Sequence, residues 1–225
     1  MNYDALDHPI WNALSTGQRD MALRKGDAAM FAAEVSPLAA VREPTTQAFR
    51  DLRELADGRT IGLVMAAPYA IPDGWTTLVK REIDQMVWAG GEAPSQGPPL
   101  LRLTEADVPE MMALAKATEP GPFAPETITM GPFYFGIRVG GRLAAMAGQR
   151  MNLDRFREVS AVCTYPEFRG RGYAGVLMNA VMREILAEGK TPFLHVKTEN
   201  AAKTLYEKLG FRVRTAVHFA VIKPA

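Results

Sequence analysis

Hydrophobic and polar positions change period several times along the chain, and each change marks an element. Residues 9–24 and 45–56 carry apolar residues at helical spacing, with Phe49, Leu52 and Leu55 on one face of the second. TIGLVMAAP (60–68) is an unbroken apolar run, the pattern of a buried strand, stopped by Pro68. DGWTTLVK (73–80) reads as a turn followed by a short strand. Between 89 and 99, in AGGEAPSQGPP, glycine and proline replace any hydrophobic period, which predicts a linker.

After that segment the patterns sharpen. LLRLT (100–104) is a short strand, and Thr104 followed by Asp107 predicts the cap of a helix carrying Met111, Met112, Leu114 and Ala115. Residues 120–132 read as a long loop. FYFGIRV and RLAAMAGQRM flank Gly140-Gly141 as a hairpin, and REVSAVCT (157–164) adds a third strand. A helix from about Tyr173 to Glu188 turns Val176, Leu177, Ala180, Val181 and Ile185 inward and stops at Gly189. PFLHVKT (192–198) is a strand, NAAKTLYEKL (200–209) a short helix closed by Gly210, and FRVRTAVHFAVI one or two last strands. The order is βα, three antiparallel strands, then αβαβ(β). It predicts an α/β protein with a mixed sheet, divided into an N-terminal lobe (1–92) and a larger domain (99–225).

Charge and composition narrow the function classes. The 26 Lys+Arg against 25 Asp+Glu give no global field to draw in nucleic acid or a membrane surface, so any basic function is local. A single cysteine, Cys163, excludes an intrachain disulfide and suits a reducing compartment. The first residues, MNYDALDHPIWNAL, contain early acids and no apolar stretch of the signal-peptide kind, and no apolar run nears the ~20 residues of a membrane span. The expectation is a soluble cytoplasmic protein, with no nucleic-acid or membrane partner. No residues have metal-ligand spacing, so no metal is expected.

The chemistry concentrates in CTYPEFRGRGYAG (163–175). Gly170-Arg171-Gly172-Tyr173-Ala174-Gly175 spells G-x-G-x-x-G, the dinucleotide fingerprint. That frame fits poorly. Five residues, 165–169, separate the strand from Gly170, whereas a dinucleotide fold turns tightly from strand to glycine. Too little chain follows for several βα units, although Glu199 stands near where a ribose-binding acid would. A Walker A loop is excluded because no Gly-Lys-Ser/Thr follows.

In the other frame, Arg169-x-x-Gly172-x-Ala174 follows a strand and opens a long helix. This resembles the Q/R-x-x-G-x-G/A signature of the GNAT superfamily of acyl-CoA-dependent N-acetyltransferases. TENAAKTLYEKLGF (198–211) is similar to that superfamily's usual last helix. The resemblance covers residues ~100–225 in element order and is nearest to the FR-type or glycine N-acyltransferase-like branch. It implies a GNAT fold for 99–225 and transfer of acetyl from acetyl-CoA to a primary amine by direct attack. Physical chemistry agrees: amides of Gly170, Arg171, Gly172, Tyr173 and Ala174 at a helix N-terminus, with Arg169 and Arg171, suit the phosphates of coenzyme A.

By the same resemblance, the backbone of Val162, Cys163 and Thr164 pairs with the pantetheine arm as an added strand would. Cys163 itself has no visible partner base and reads as a packed side chain. Asn200 caps the last helix and also contacts the pantetheine. Tyr206 is the general acid for the departing thiolate, a phenol of ~10 facing a thiol of ~8.5. Glu158 is the candidate base, on one face with Ser160 and Val162; equally, it is a strand-end carboxylate paired with Arg155 or Arg157. His195 and His218 read as core histidines. The acceptor is a small-molecule amine or amino acid, with a protein amine left open, held by the loop 118–132 and strands 133–152. No concentrated acidic groove favours a polyamine. The alternatives are amino-acid acylation with other acyl-CoAs and a non-catalytic acyl-CoA sensor. The N-terminal lobe reads as a degenerate acyltransferase-like lobe with no second cofactor site, and a homodimer is compatible with the sequence.

Overall fold

The computed structural model describes residues 2–91 and 100–225; positions 92–99 of the expected linker lie outside them. The chain opens with α1 (Pro9–Ser15), then a small antiparallel sheet of β1 (Ala22–Lys25), β2 (Ala28–Phe31) and β3 (Ala39–Val41). The helix expected over 9–24 therefore stops at Ser15. The chain leaves it because Gln18 is drawn into a tertiary contact, its amide donating to the carbonyls of Met130 and Arg150, each at 2.8 Å. α2 (Thr46–Ala56) follows, capped by Thr45 Oγ1 accepting from the Ala48 amide at 3.1 Å.

The remaining strands form one sheet. They are β4 (Ile61–Met65), β5 (Trp75–Trp88), β6 (Leu101–Arg102), β7 (Tyr134–Val139), β8 (Arg142–Asn152), β9 (Phe156–Thr164), β10 (Thr191–Val196) and β11 (Phe211–Pro224). Three helices punctuate them: α3 (Val108–Thr118), α4 (Tyr173–Ala187) and α5 (Lys203–Lys208). The strand order is β4-β11-β5-β10-β9-β8-β7-β6, antiparallel throughout except between β10 and β9. The fold is thus mixed α/β. Residues 1–92 and 99–225 share this sheet, since β5 lies between β11 and β10.

β5 runs 14 residues, far beyond the short strand expected. The expected strand is its first half, mostly exposed though it carries Trp75, Leu78 and Val79; the unexpected part runs from Arg81 to Trp88, where charged residues interrupt any regular alternation. Main-chain pairing with β11 along its whole length, from Phe211↔Trp88 to Pro224↔Trp75, makes it a strand.

Alternation along β8 shows how the sheet buries its faces. Ala145 and Ala147 pack under α4, against Leu177, Met178 and Val181, while Met146 packs under α3, against Met111 and Leu114, joined there by Leu143, which an irregularity in the β7–β8 register puts out of phase with Ala145. At roughly 1.5–3 kcal/mol for each large apolar side chain removed from water, these interfaces fix both helices on the sheet. α3 begins with the predicted device: Thr104 and Asp107 cap each other, the Thr104 amide donating to Asp107 Oδ2 at 2.9 Å. Leu6, Ile10 and Leu14, in and around α1, meet Met151, Phe156 and Phe193 near the centre of the sheet. Among the described residues no helix is long and apolar enough to cross a membrane.

Gly148 shows how tightly this centre is packed. A Cβ built there would run into the ring of Tyr134, which is fully buried and anchored by its hydroxyl donating to the Gln149 carbonyl at 2.7 Å. Gly148→Ala is expected to lower stability by about 1–3 kcal/mol, because the ring cannot move aside. A thermal melt several degrees below wild type checks this.

Candidate active site

The site is built from a parting of strands. β9 and β10 pair only over Phe156–Glu158 and Thr191–Phe193, then diverge. From residue 159 onward, β9 has β8 on one side and open space on the other. A cavity of about 660 Å³ occupies this gap, walled by residues 158–164 of β9 and 194–197 of β10.

β9 bends where it parts from β10. Gly148 faces Ser160 and Met146 faces Cys163, so Ala161 and Val162 together oppose one residue of β8, with Ala161 left-handed at φ 52°. Such a bulge bends the strand and shifts its alternation. Val162 consequently joins Val159 against the α4 core, while Ala161 and Cys163 turn to the α3 side. The expected common face of Glu158, Ser160 and Val162 therefore breaks after Ser160. Nothing in the residue types announces this, because alanine favours no left-handed conformation.

The loop after β9 arches over to α4. Arg169 and Ala174 line the cavity; Gly170, Arg171, Gly172 and Tyr173 form the approach to the helix outside that lining. Gly170 and Gly172 have φ of 75° and 77°, and a Cβ at either would meet nothing. What these two positions require is left-handed backbone, not room. Gly172 is the N-cap and its carbonyl accepts from Val176 at 3.2 Å. The amides of residues 173–175, the first of the helix, have no acceptor within it and carry its positive end. The Arg171 guanidinium rests over the ring of Phe168, 5.5 Å from its centroid, and Arg169 Nε donates to the Thr164 carbonyl at 3.3 Å.

Tyr206, on α5, lines the cavity from the far side. Its hydroxyl has no hydrogen-bond partner among the described residues, and burial, with a smaller contribution from Cys163, pushes its pKa up to about 12. α5 is pinned to β5 by the ion pair of Lys203 with Asp84, which also accepts from Thr198 Oγ1 at 3.2 Å. Asn200 Oδ1 accepts from the Ala202 amide at 2.9 Å, capping the turn that leads into α5. Val162, Cys163, Thr164 and Asn200 all line the cavity. Burial raises the Cys163 thiol to about 12, which keeps it a packed, unreactive side chain.

Glu158 sits at the apex of the gap with its side chain 1% exposed. Its partner is neither Arg155 nor Arg157 but Arg150 on β8, which donates to it through Nε at 2.7 Å and Nη2 at 2.8 Å. Arg157 instead reaches Glu188 at 2.9 Å. His195, read from sequence as a core histidine, lines the cavity with Nδ1 2.8 Å from Glu158 Oε1. The chain of contacts continues. Gln85 Nε2 donates to the Leu6 carbonyl at 2.9 Å and stands 3.1 Å from His195 Nε2, while its Oε1 accepts from Arg214 at 2.9 Å. Arg214 ends the chain on Asp7. Because an amide nitrogen donates, this orientation of Gln85 makes His195 Nε2 an acceptor and Nδ1 the donor to Glu158. Burial alone would raise the Glu158 pKa; the Arg150 charge and the hydrogen bonds from Arg150 and His195 outweigh it and hold the carboxyl at about 2.

Gln85 and Arg214 lie far from the glycine loop in sequence and carry no motif, so no local pattern points to them. Arg150 could have been suspected only by knowing that β8 and β9 place it opposite Glu158. Among the described residues no group of three or more His, Cys, Asp or Glu side chains is placed to hold a metal.

Comparison with known proteins bears on this geometry. The model of the family described as FR47-like protein matches residues 134–220. The crystal structure of a GNAT-family acetyltransferase from Novosphingobium aromaticivorans DSM 12444 is similar at 40% identity, covering 99% of this chain and 100% of that one, with a TM-score of 0.91. A GCN5-related N-acetyltransferase from Kribbella flavida shares the fold at 14% identity and a TM-score of 0.63 over 96% of each chain. A GCN5-related N-acetyltransferase-like protein from Streptococcus suis 89/1591 shares it at 15% and 0.58, over 89% of this chain and 85% of that one. No curated protein matches.

The buried network makes a prediction of its own. A carboxyl whose folded pKa is depressed stabilises the protein above its unfolded pKa of about 4.3, and that contribution is lost as pH falls toward the folded value of about 2. Glu158→Gln strands the Arg150 charge and is expected to lose about 3–5 kcal/mol at pH 7. In urea titrations the difference from wild type should narrow steadily below about pH 4; a constant difference would show that the charge is not its source.

Proposed function

The chain belongs to the GNAT family of acetyltransferases, and from that membership we propose that it transfers acetyl from acetyl-CoA to a primary amine by direct attack, without a covalent enzyme intermediate. One observation carries the reading: a strand edge left unpaired from residue 159, running from the glycine loop and α4 at one end to Tyr206 and Glu158 in the same cavity. The donor fits this opening in chemistry. Free main-chain groups on β9 suit the amides of a pantetheine arm, and the α4 N-terminus with Arg169 and Arg171 suits phosphates.

Tyr206 is the proton donor in this reading. The amine nitrogen attacks the thioester carbonyl, the C–S bond breaks, the thiolate takes the Tyr206 proton, and the proton shed by the acylated nitrogen goes to solvent, from which the phenolate is reprotonated. The burial that raises the phenol to about 12 disfavours a thiolate in the same cavity as well, because it penalises the charged form of either group. The phenol also remains protonated throughout the working pH range.

Glu158 was expected as base. Held at about 2, it is ionised at every working pH, yet direct proton transfer to it from an ammonium of pKa ~10.4 is strongly uphill. It serves this proposal better as the anion that fixes Arg150 and His195 in the cavity wall, while the amine sheds its proton to solvent before attack. The N-terminal residues 1–92 contribute the far wall of the cavity through Leu38, Val64, Arg81 and Ile83.

Tyr206→Phe should cut kcat about 100-fold or more, with calorimetric acetyl-CoA affinity unchanged at one site per chain. Full activity would remove Tyr206 from the chemistry, and binding without release of free CoA in the presence of amines would indicate a sensor. Glu158→Gln distinguishes anchor from base through the pH–rate profile. An anchor predicts a loss of similar size at every pH, whereas a base predicts a loss concentrated below neutrality.

A further inference from the structure

We propose that the acceptor is an amine that also carries a carboxylate and an apolar side chain, and that Arg81 is the residue that selects it. The inference rests on the acetyl-transfer reading and deepens it. Along β5, Arg81, Ile83 and Gln85 alternate onto the sheet face where Gln85 meets His195. Arg81 is in register with Phe219 on β11, and Phe219 with Val64 on β4. Val64, Phe219 and Arg81 thus form a row across three strands, and all three line the cavity with Ile83 and Leu38. The result is an apolar shelf ending in a guanidinium.

That guanidinium is unneutralised. Arg150, Arg157 and Arg214 each meet a carboxylate, but Arg81 has no ion pair, hydrogen bond or ring contact among the described residues. The rest of the lining points the same way. Glu158 is cancelled by Arg150, which leaves Glu119 as the free acid against Arg81, Arg169 and Lys197. Arg169 precedes the α4 N-terminus, where the donor's anionic groups are expected, whereas Lys197 follows the last residue of β10, the neighbour of β5, and adds positive charge on the side of Arg81. Arg81 is left for the acceptor. A polyamine or lysine-rich peptide would bring further positive charge to a lining already positive, whereas an apolar amino acid places its carboxylate on Arg81 and its side chain on the shelf.

The test compares kcat/KM for leucine and phenylalanine with that for their decarboxylated amines and for spermidine, in wild type, Arg81→Met and Arg81→Lys, with acetyl-CoA binding followed by calorimetry. Wild type is expected to favour the amino acids by about 10- to 100-fold, the worth of one charge-assisted contact. Arg81→Met should collapse that ratio toward unity and Arg81→Lys restore part of it, while both still bind acetyl-CoA. Preference for the decarboxylated amines or spermidine, or a ratio that survives Arg81→Met, overturns the inference while leaving acetyl transfer standing. Absence of acetyl-CoA binding in wild type removes the transferase reading and this inference with it.

Discussion

The Arg150–Glu158–His195 contact is the constraint on which the rest of this structure depends. It sits where β9 and β10 stop pairing, and ties β8, β9 and β10 together at the last point before the gap opens. Ionised groups taken this far from water cost several kcal/mol each unless their partners are held in place. The charges therefore demand one arrangement of three strands. Gln85 and Arg214 extend that demand through β5 and β11 to Asp7 near the N-terminus. The cavity has a rigid apex because moving any of these strands would strand a charge.

From that apex the gap widens toward two ends of different chemistry. The bulge at Ala161 bends β9, and the strand continues into a loop whose left-handed glycines deliver the chain to the unpaired amides of α4. That end is electropositive and open. Across the gap α5 presents Tyr206 from a buried position, held against β5 by Lys203 and Asp84. The positive helix end and the buried phenol are thus separated in space and carried by different elements on one sheet.

The N-terminal residues are part of the same construction. β4 and β5 extend the sheet beyond β10, and their cavity-facing side chains complete the wall opposite β9. The 89–99 segment is rich in glycine and proline, yet the chain on its two sides meets again in hydrogen-bonded strands. Charge follows this division of labour: paired arginines hold the apex, and unpaired cations line the opening.

Much of this was readable in the sequence wherever local rules decide the outcome. The α4 and α3 faces, the Thr104–Asp107 cap, the β7–β8 hairpin and the glycine–arginine loop each follow from period, capping or turn chemistry within a few residues. The case against dinucleotide chemistry in the 163–175 loop rested on the same local facts, whereas acyl-CoA chemistry came from the resemblance of the loop and the last helix to the GNAT superfamily. Other features required the fold. The length of β5 depends on pairing with β11 and β10, since no regular alternation carries the expected strand on from Lys80 to Trp88. The turn after Ser15 depends on Gln18 finding the carbonyls of Met130 and Arg150. The bulge at Ala161 depends on its neighbours in β8. Glu158 was visible as a carboxylate at a strand's start, but its partners lie 8 residues away on Arg150 and 37 away on His195. Local sequence sets which elements form and what chemistry each can carry. Which carboxylate is neutralised, and which arginine is left free, is decided only when distant strands meet and burial makes every unpaired charge costly.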